Sequence, residues 1–389
     1  LNFATLVISI LHLFKESAEH KILSFLPLLG VSIVSGAAFS KARYKIKLNL
    51  FLTINATLSH YAKSLPPKLW NGFRLIAGDG TTVSLPPSPK IKEHFGVYDS
   101  TNSGSSVTCL AQSFLFYDVL TNFIVEAVIA PICLGESTLM LPLLKGLCSN
   151  SLIILDRGYG YFATIKELVN ASQQFCVRIS SSQSQFSKTV LANKSNDFIC
   201  FWEASESEMA TAKKHGVSCD AIKVRVTKIV LASGEVEILV SSLFDFSLIT
   251  TEEMGILYFK RWGIEENIKK LKPKMKLEQF GCKLPQGVYQ EFYAHIFMMN
   301  LVAILGNEAA PEIEIQTAGR KHKYKYNWQN AFRFIREKMI EIFWIGNIAE
   351  AINDIVSKIK KSLIAIVRNR NFERVFKKKR KTRVNQCYK

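Results

Sequence analysis

The spacing of apolar positions changes period several times along the chain, and each change marks an element. Residues 1–65 keep helical spacing, and Leu65-Pro-Pro opens a new unit. Residues 73–85 (FRLIAGDGTTVSL) are strand-like, with an interruption at Gly78-Asp79-Gly80. A loop rich in Pro, Gly and Ser covers 86–106. Residues 107–117 and 122–130 then alternate or run apolar around a turn at 118–121, which predicts a hairpin. A helix is predicted over 136–148, a short buried strand over 152–155 ending at Asp156, a helix over 161–171 and a strand over 174–179. That order predicts an α/β sheet of mixed direction. The polar, Ser-rich stretch 180–194 reads as a boundary. Beyond it 198–202, 222–232 and 236–242 are strand-like, with Ser233-Gly234 as a turn, and predict a β-rich insertion. A strongly apolar helix over 289–307 suits burial against the sheet, and 328–368 is helical.

The most informative helix runs from Thr250-Thr251-Glu252-Glu253, a hydroxyl followed by acids, to Pro273, which is expected to close it. At about 100° per residue Tyr258, Arg261, Glu265 and Lys272 share one narrow stripe. Ile256, Leu257, Ile264, Ile268 and Leu271 form a core-facing arc beside it, blemished by Lys260 and Asn267. Glu266 lies about 100° off the stripe. Such a stripe suits either a metal ion with a phosphate backbone or a solvated helix face.

Composition narrows the partner. Lys and Arg number 50 against 32 acids, a net charge of +18, which favours nucleic acid over a membrane surface. The basic residues of 36–47 (Lys41, Arg43, Lys45, Lys47) suit the second half of a helix-turn-helix on DNA, or an amphipathic helix with a charged face. Residues 374–383 hold seven bases in ten, a solvated tail able to bind nucleic acid nonspecifically. The membrane-like run 22–40 carries Pro27, Gly30 and Gly36, and reads as a buried helical region rather than a span. The eight cysteines form no C-x-x-C pair and the seven histidines no H-x-x-x-H, so neither a zinc ribbon nor a redox dithiol is supported, and a reducing cytoplasm fits.

Three acids stand where chemistry belongs. Asp79 lies between two glycines that let backbone, metal or substrate approach closely. Asp156 ends a buried strand, where open α/β sheets place their sites. Glu265 sits on the helix stripe. Converging carboxylates make a hard oxygen site suited to Mg2+ or Mn2+, and two such ions activate a water or 3′-hydroxyl and stabilise the leaving oxygen. Arg261 and Lys272 would hold phosphates, with Tyr258 bonding or stacking. Taken singly, an Asp between glycines also serves as a turn residue, and an Asp after a strand also caps the next element.

Together these residues resemble the DDE transposases of the insertion-sequence-four family. The Y-x2-R-x3-E-x6-K signature reads Tyr258, Arg261, Glu265 and Lys272 with every spacing kept, inside Arg261-Trp262-Gly263-Ile264-Glu265. The aspartate motifs match at Gly78-Asp79-Gly80-Thr81 and Leu155-Asp156-Arg157-Gly158-Tyr159. The resemblance covers about 73–305. It implies an α/β fold, an RNase H-like mixed sheet flanked by helices, with Asp79, Asp156 and Glu265 as catalytic metal ligands for Mg2+ or Mn2+, two ions in all. The reaction implied is cleavage at element ends, then attack of the freed 3′-hydroxyl on target DNA by a homodimer on DNA, in a bacterial cytoplasm at the nucleoid. The alternative is a catalytically silent DNA-binding remnant. Some relatives pass through a DNA hairpin using an insertion-domain tryptophan; Trp202, the insertion's tryptophan, reads as a core residue and leaves that step open. The expected organisation is a helical DNA-binding region (1–65), the first part of the catalytic core (66–180), the insertion (181–249), the second part of the core (250–310) and a helical C-terminal region with a basic tail (311–389).

Overall fold

The computed structural model describes residues 1–12, 18–98, 108–182, 184–231 and 233–367; the basic run 374–383 lies outside the described residues. The strands are β1 (Arg74–Ser84), β2 (Val97–Tyr98), β3 (Thr108–Asp118), β4 (Phe123–Pro131), β5 (Ser151–Leu155), β6 (Gln174–Ile179), β7 (Asp197–Trp202), β8 (Ile222–Val230), β9 (Val236–Ser241), β10 (Lys323–Tyr326) and β11 (Leu363–Ile366). The helices are α1 (Phe3–Leu11), α2 (Ala18–Phe25), α3 (Gly36–Arg43), α4 (Leu48–Ser64), α5 (Pro89–Phe95), α6 (Glu136–Leu143), α7 (Phe162–Asn170), α8 (Gln185–Ala192), α9 (Glu206–Lys214), α10 (Thr251–Phe259), α11 (Trp262–Lys269), α12 (Pro285–Thr317), α13 (Trp328–Ile340) and α14 (Ile348–Lys361).

Among the described residues nine strands make one sheet. Its first half runs β4-β3-β1-β5-β6, antiparallel across β4, β3 and β1 and parallel across β1, β5 and β6. This is the RNase H-like arrangement, an α/β mixed sheet flanked by helices. β5, buried at all five positions, reads as a continuous apolar run because helices cover both its faces. β9, β8 and β7 join antiparallel to β6, so the strands of the insertion extend the same sheet.

One face packs on α6, α7 and the insertion, where Trp202 is fully buried, stacked on Phe186 at 4.3 Å. The other face packs on α10, α11 and α12. α12 is the spine of that layer. Its Asn300 accepts from Ile124 N at 2.7 Å and donates to Ile124 O at 2.9 Å, beside the bulge where the β3–β4 register shifts. α12 is also, among the described residues, the helix long and apolar enough to cross a membrane, yet 78% of its apolar window is buried.

Several expectations change. β1 is continuous through Gly78-Asp79-Gly80, because the unbroken antiparallel ladder with β3 outweighs glycine's weak strand preference. Residues 22–40 are split into α2, a 3-10 turn at Pro27–Leu29 and the start of α3, with Gly30 in the left-handed region at φ 66°. α8 occupies the Ser-rich boundary, capped by Ser184, whose hydroxyl accepts from Ser187 N. The C-terminal region is not wholly helical, since β10 and β11 pair antiparallel. Arg43, expected to face DNA, is buried against α12 and pairs with Glu291 at 3.0 Å.

The long predicted helix over 250–272 is two helices. A capping box between Thr250 and Glu253 starts α10 as anticipated. At Lys260 and Arg261 the amides bond three residues back, to Leu257 and Tyr258, so the chain tightens before α11 begins. Pro273 does not close the helix but sits inside a π turn, Lys270–Lys274, where Met275 N reaches Lys270 O. The wider turn accommodates a residue with no N–H to give. Ile256, placed on the core arc, is 51% exposed as a result of the break, while Leu257, Ile264 and Leu271 are fully buried. Asn267 is buried too.

Candidate active site

Asp79 and Asp156 come together because their strands are parallel neighbours. Ala77 pairs with Ile154, the last pair of the β1–β5 ladder; Asp79 and Asp156 lie two residues beyond it on their two chains, close enough for the charge of Asp156 to act on the Asp79 carboxyl. By strand alternation both share the face of Leu75, Leu152 and Ile154, which pack under Leu257 and Tyr258 of α10. The two acids therefore lie beneath the helix pair that carries the other candidates.

This crowding shows in the protonation of Asp79. Its carboxyl is pushed up to about 7, first by burial and then by the charge of Asp156, with Arg261 working in the opposite direction. Asp156 also accepts from Gly158 N at 2.8 Å, so it caps the turn after β5 while facing Asp79.

Arg261 is the cation over this pair. It is buried, lies 5.8 Å from the Tyr258 ring and 4.9 Å from the Trp262 ring, and donates to Glu265 at 2.9 Å. Burial works against its charge, but the bond to Glu265 and the neighbouring Tyr258 and Asp156 hold its pKa above the ordinary value. Its Nε is buried with no hydrogen-bond partner among the described residues. That donor is available to an anion.

The remaining stripe residues are placed differently from the expectation of a DNA-facing row. Tyr258 is 5% exposed and lies in the core behind Arg261, with burial holding its phenol above the ordinary value. Lys272 turns to β1, donating to Thr82 O at 2.7 Å and pairing with Glu278 at 3.1 Å. The stripe was laid out on a straight helix, and the tight step at Lys260–Arg261 and the π turn rotate its ends apart. Glu266 is on the surface, paired with Lys269 at 2.6 Å.

Glu265 is one helical turn from Arg261 and spends its carboxylate on it. Among the described residues no group of three His, Cys, Asp or Glu side chains is close enough to hold a metal ion. Asp79 and Asp156 do fit one. They are adjacent hard-oxygen donors whose mutual repulsion a divalent cation relieves.

Sequence reasoning missed the support behind the pair. Gly78 and Gly80 face away from Asp79, not toward a substrate. A Cβ at Gly78 would meet Leu155 at 2.6 Å, and one at Gly80 would run into the Glu136 carboxylate. Glu136, the first residue of α6, accepts from Gln112 at 2.9 Å and from the Tyr159 hydroxyl at 2.7 Å. It ties β3 and the turn after Asp156 to the back of β1. The signal was the glycine itself: a strand residue with no side chain marks close approach by something else.

Fold and site define an RNase H-like α/β protein with an acidic, arginine-flanked site at its central strands. Residues 70–301 match the model of the transposase DDE domain, and the chain belongs to that family. No curated protein matches the chain. Among solved structures it is similar to the piggyBac transposase synaptic complex with hairpin DNA, a cryo-EM structure, at 11% identity and a TM-score of 0.47 over 97% of this chain and 78% of that one.

Proposed function

We propose that the chain is a transposase of the insertion-sequence-four branch, which cleaves DNA at the ends of its element and joins the freed 3′-hydroxyl to target DNA. The observation that carries this reading is the juxtaposition of Asp79 and Asp156 beneath Arg261 and Glu265. Asp79, Asp156 and Glu265 are the proposed catalytic and metal residues, with Mg2+ or Mn2+ as the ion. When bound, the ions lower the pKa of a water or hydroxyl and neutralise charge on the scissile phosphate. Arg261 offers its unpartnered Nε to a phosphate oxygen, and Glu265, released from its bond to Arg261, would join Asp79 and Asp156 in holding the ion. Tyr258 backs the guanidinium and keeps its planar fork oriented.

In the first step a water oxygen forms a new bond to phosphorus as the bond to the 3′-oxygen breaks, and that oxygen leaves protonated. In the second the 3′-hydroxyl attacks a target phosphodiester and one strand of the target leaves. One phosphodiester replaces another, so no oxidant or energy carrier is consumed. Homodimeric action on DNA at the nucleoid of a bacterial cytoplasm belongs to the same proposal.

The pairing of Glu265 with Arg261, which leaves two acids rather than three together, favours a second reading: a DNA-binding remnant without catalysis. A metal-dependent nicking assay on element-end DNA separates them. Wild type is expected to nick, and Asp79→Ala, Asp156→Ala and Glu265→Ala each to lose nicking by at least about a hundredfold while end binding persists. Nicking that survives in all three variants overturns the assignment; a wild type that binds and never nicks supports the remnant.

A further inference from the structure

The π turn after α11 carries ammonium groups for which the one nearby carboxylate, Glu266, is already bonded to Lys269. Lys270 opens the turn and lies 5.9 Å from the ring of Trp328, the first residue of α13. Lys274 is one wide turn further on, since Met275 N bonds back to Lys270 O. Lys325 is only three residues before Trp328, on β10, where Lys323 and Lys325 are exposed while Tyr324 and Tyr326 turn toward α12. The seat of that strand is close: a Cβ on Gly306 of α12 would strike the Tyr326 ring.

Two elements, the π turn and β10, thus bring three like charges into one place. Burial, then Lys325, then Lys274 push the Lys270 ammonium down to about 8, and Glu266 alone opposes them. The Glu266 carboxylate is already bonded to Lys269 at 2.6 Å. Lys272, in the same turn, is engaged with Thr82 and Glu278 and points the other way. No described carboxylate pairs with Lys274 or Lys325. Such crowding is unfavourable unless an anion completes it.

We propose that Lys270, Lys274 and Lys325 form a phosphate clamp that grips the DNA backbone beside the catalytic helix. The inference rests on the reading of the chain as a DNA-processing protein. Lys270 is five positions beyond Glu265, about 7.5 Å along the helix and about 140° round it, so the lysines meet the backbone of a strand after it has passed over the helix, not the phosphate in the site itself. Ammonium groups holding phosphates fix register without reading sequence. The clamp therefore positions the strand and leaves base choice to other parts of the protein.

The test measures binding of the full chain to a duplex across a series of salt concentrations by fluorescence anisotropy, in Asp79→Asn so that no cleavage intervenes. Lys274→Gln with Lys325→Gln is expected to reduce the slope of log affinity against log salt by about 1 to 2, the loss of one to two phosphate contacts. The pair Lys213→Gln with Lys214→Gln, exposed on α9 on the other side of the sheet, is expected to leave the slope unchanged. A slope untouched by the first pair, or lowered equally by the second, overturns the clamp. Inorganic phosphate provides the other arm. If millimolar phosphate raises the melting temperature of wild type but not of the Lys274/Lys325 variant, and the DNA slope is the same in both, the cluster is a free-anion site and the clamp is wrong. Failure of wild type to bind DNA at all overturns the functional reading as well, whereas intact binding and nicking with an unchanged slope overturns the clamp alone.

Discussion

The Asp79 carboxyl is buried beside the charge of Asp156. Asp79 titrates at about 7 in the folded chain, against about 3.9 in an unfolded one. Between those values the folded state holds a proton that the unfolded state has lost. Stability therefore falls as pH rises from about 4 to about 7, and the loss is complete above that. Asp79→Asn removes the penalty. The metal-free variant is expected to exceed wild type by on the order of 2–4 kcal/mol at pH 8 and to match it at pH 4, as read from urea denaturation. Equal gains at both pH values would show that the effect is not ionisation. Adding Mg2+ at pH 8 is expected to raise the melting temperature of wild type and not of the Asn variant, because the ion binds only the folded state and needs the carboxylate. Gly80 makes a second residue-scale prediction. Gly80→Ala drives a methyl into the Glu136 carboxylate, which releases Tyr159 and costs about 1–3 kcal/mol, checked by thermal melting; a neutral result would mean that Glu136 yields freely.

Among elements, the insertion and the catalytic helix are joined by one buried lock. Arg225 is fully buried and holds Asp197 through two bonds of 2.8 and 2.6 Å, while its other nitrogen donates to Leu243 O and Ile249 O. Asp197 also accepts from Thr251, the first residue of α10, at 2.7 Å. Burial opposes the charged form of Asp197, yet the bonds from Arg225 and Thr251 hold its pKa below the ordinary value. Asp197→Ala strands a buried guanidinium and is expected to cost about 3–5 kcal/mol, whereas Thr251→Val costs about 1 kcal/mol. Since the folded pKa is depressed, this contribution is present above about pH 4 and fades in more acidic solution. Denaturation of both variants at pH 7 and pH 3 checks the ranking and its narrowing in acid. Legibility divides at the same scale. β5 and β6 were readable because buried parallel strands leave continuous apolar runs. The juxtaposition of Asp79 with Asp156 followed from motif order but needed the parallel register of β1 and β5 to become geometry. The break at Lys260–Arg261, the π turn and the engagement of Lys272 with β1 were not readable, because a helical wheel assumes one constant pitch. β10 and β11 escaped because four-residue strands, half exposed, carry too little alternation to stand out.

On one side of the sheet α12 is the member against which β4 and the N- and C-terminal helices pack, and its attachment to the N-terminal helices includes a buried polar joint. Arg43 at the end of α3 is 5% exposed, donates to Gln290 at 3.1 Å and pairs with Glu291 at 3.0 Å. The other side of the Glu291 carboxylate accepts from Gly281 N at 3.0 Å, in the segment that returns from the catalytic helices. One carboxylate thus links the N-terminal region, the loop after the π turn and the spine. Burial disfavours the charge on Arg43, but Glu291 holds its pKa above the ordinary value. Arg43→Ala leaves Glu291 buried without its cation and is expected to cost about 3–5 kcal/mol, while the double change Arg43→Met with Glu291→Leu recovers part of that loss because no charge is left unpaired. Limited proteolysis supplies the scale-specific readout. If the pair is what docks the N-terminal helices, Arg43→Ala exposes cleavage sites in residues 1–65 at denaturant concentrations where the sheet, followed by the fluorescence of Trp202 in a background whose other tryptophans are replaced by Phe, is still folded. Simultaneous loss of both signals would show instead that the N-terminal helices and the catalytic sheet unfold as one unit, and that the pair stabilises the whole molecule rather than one joint within it.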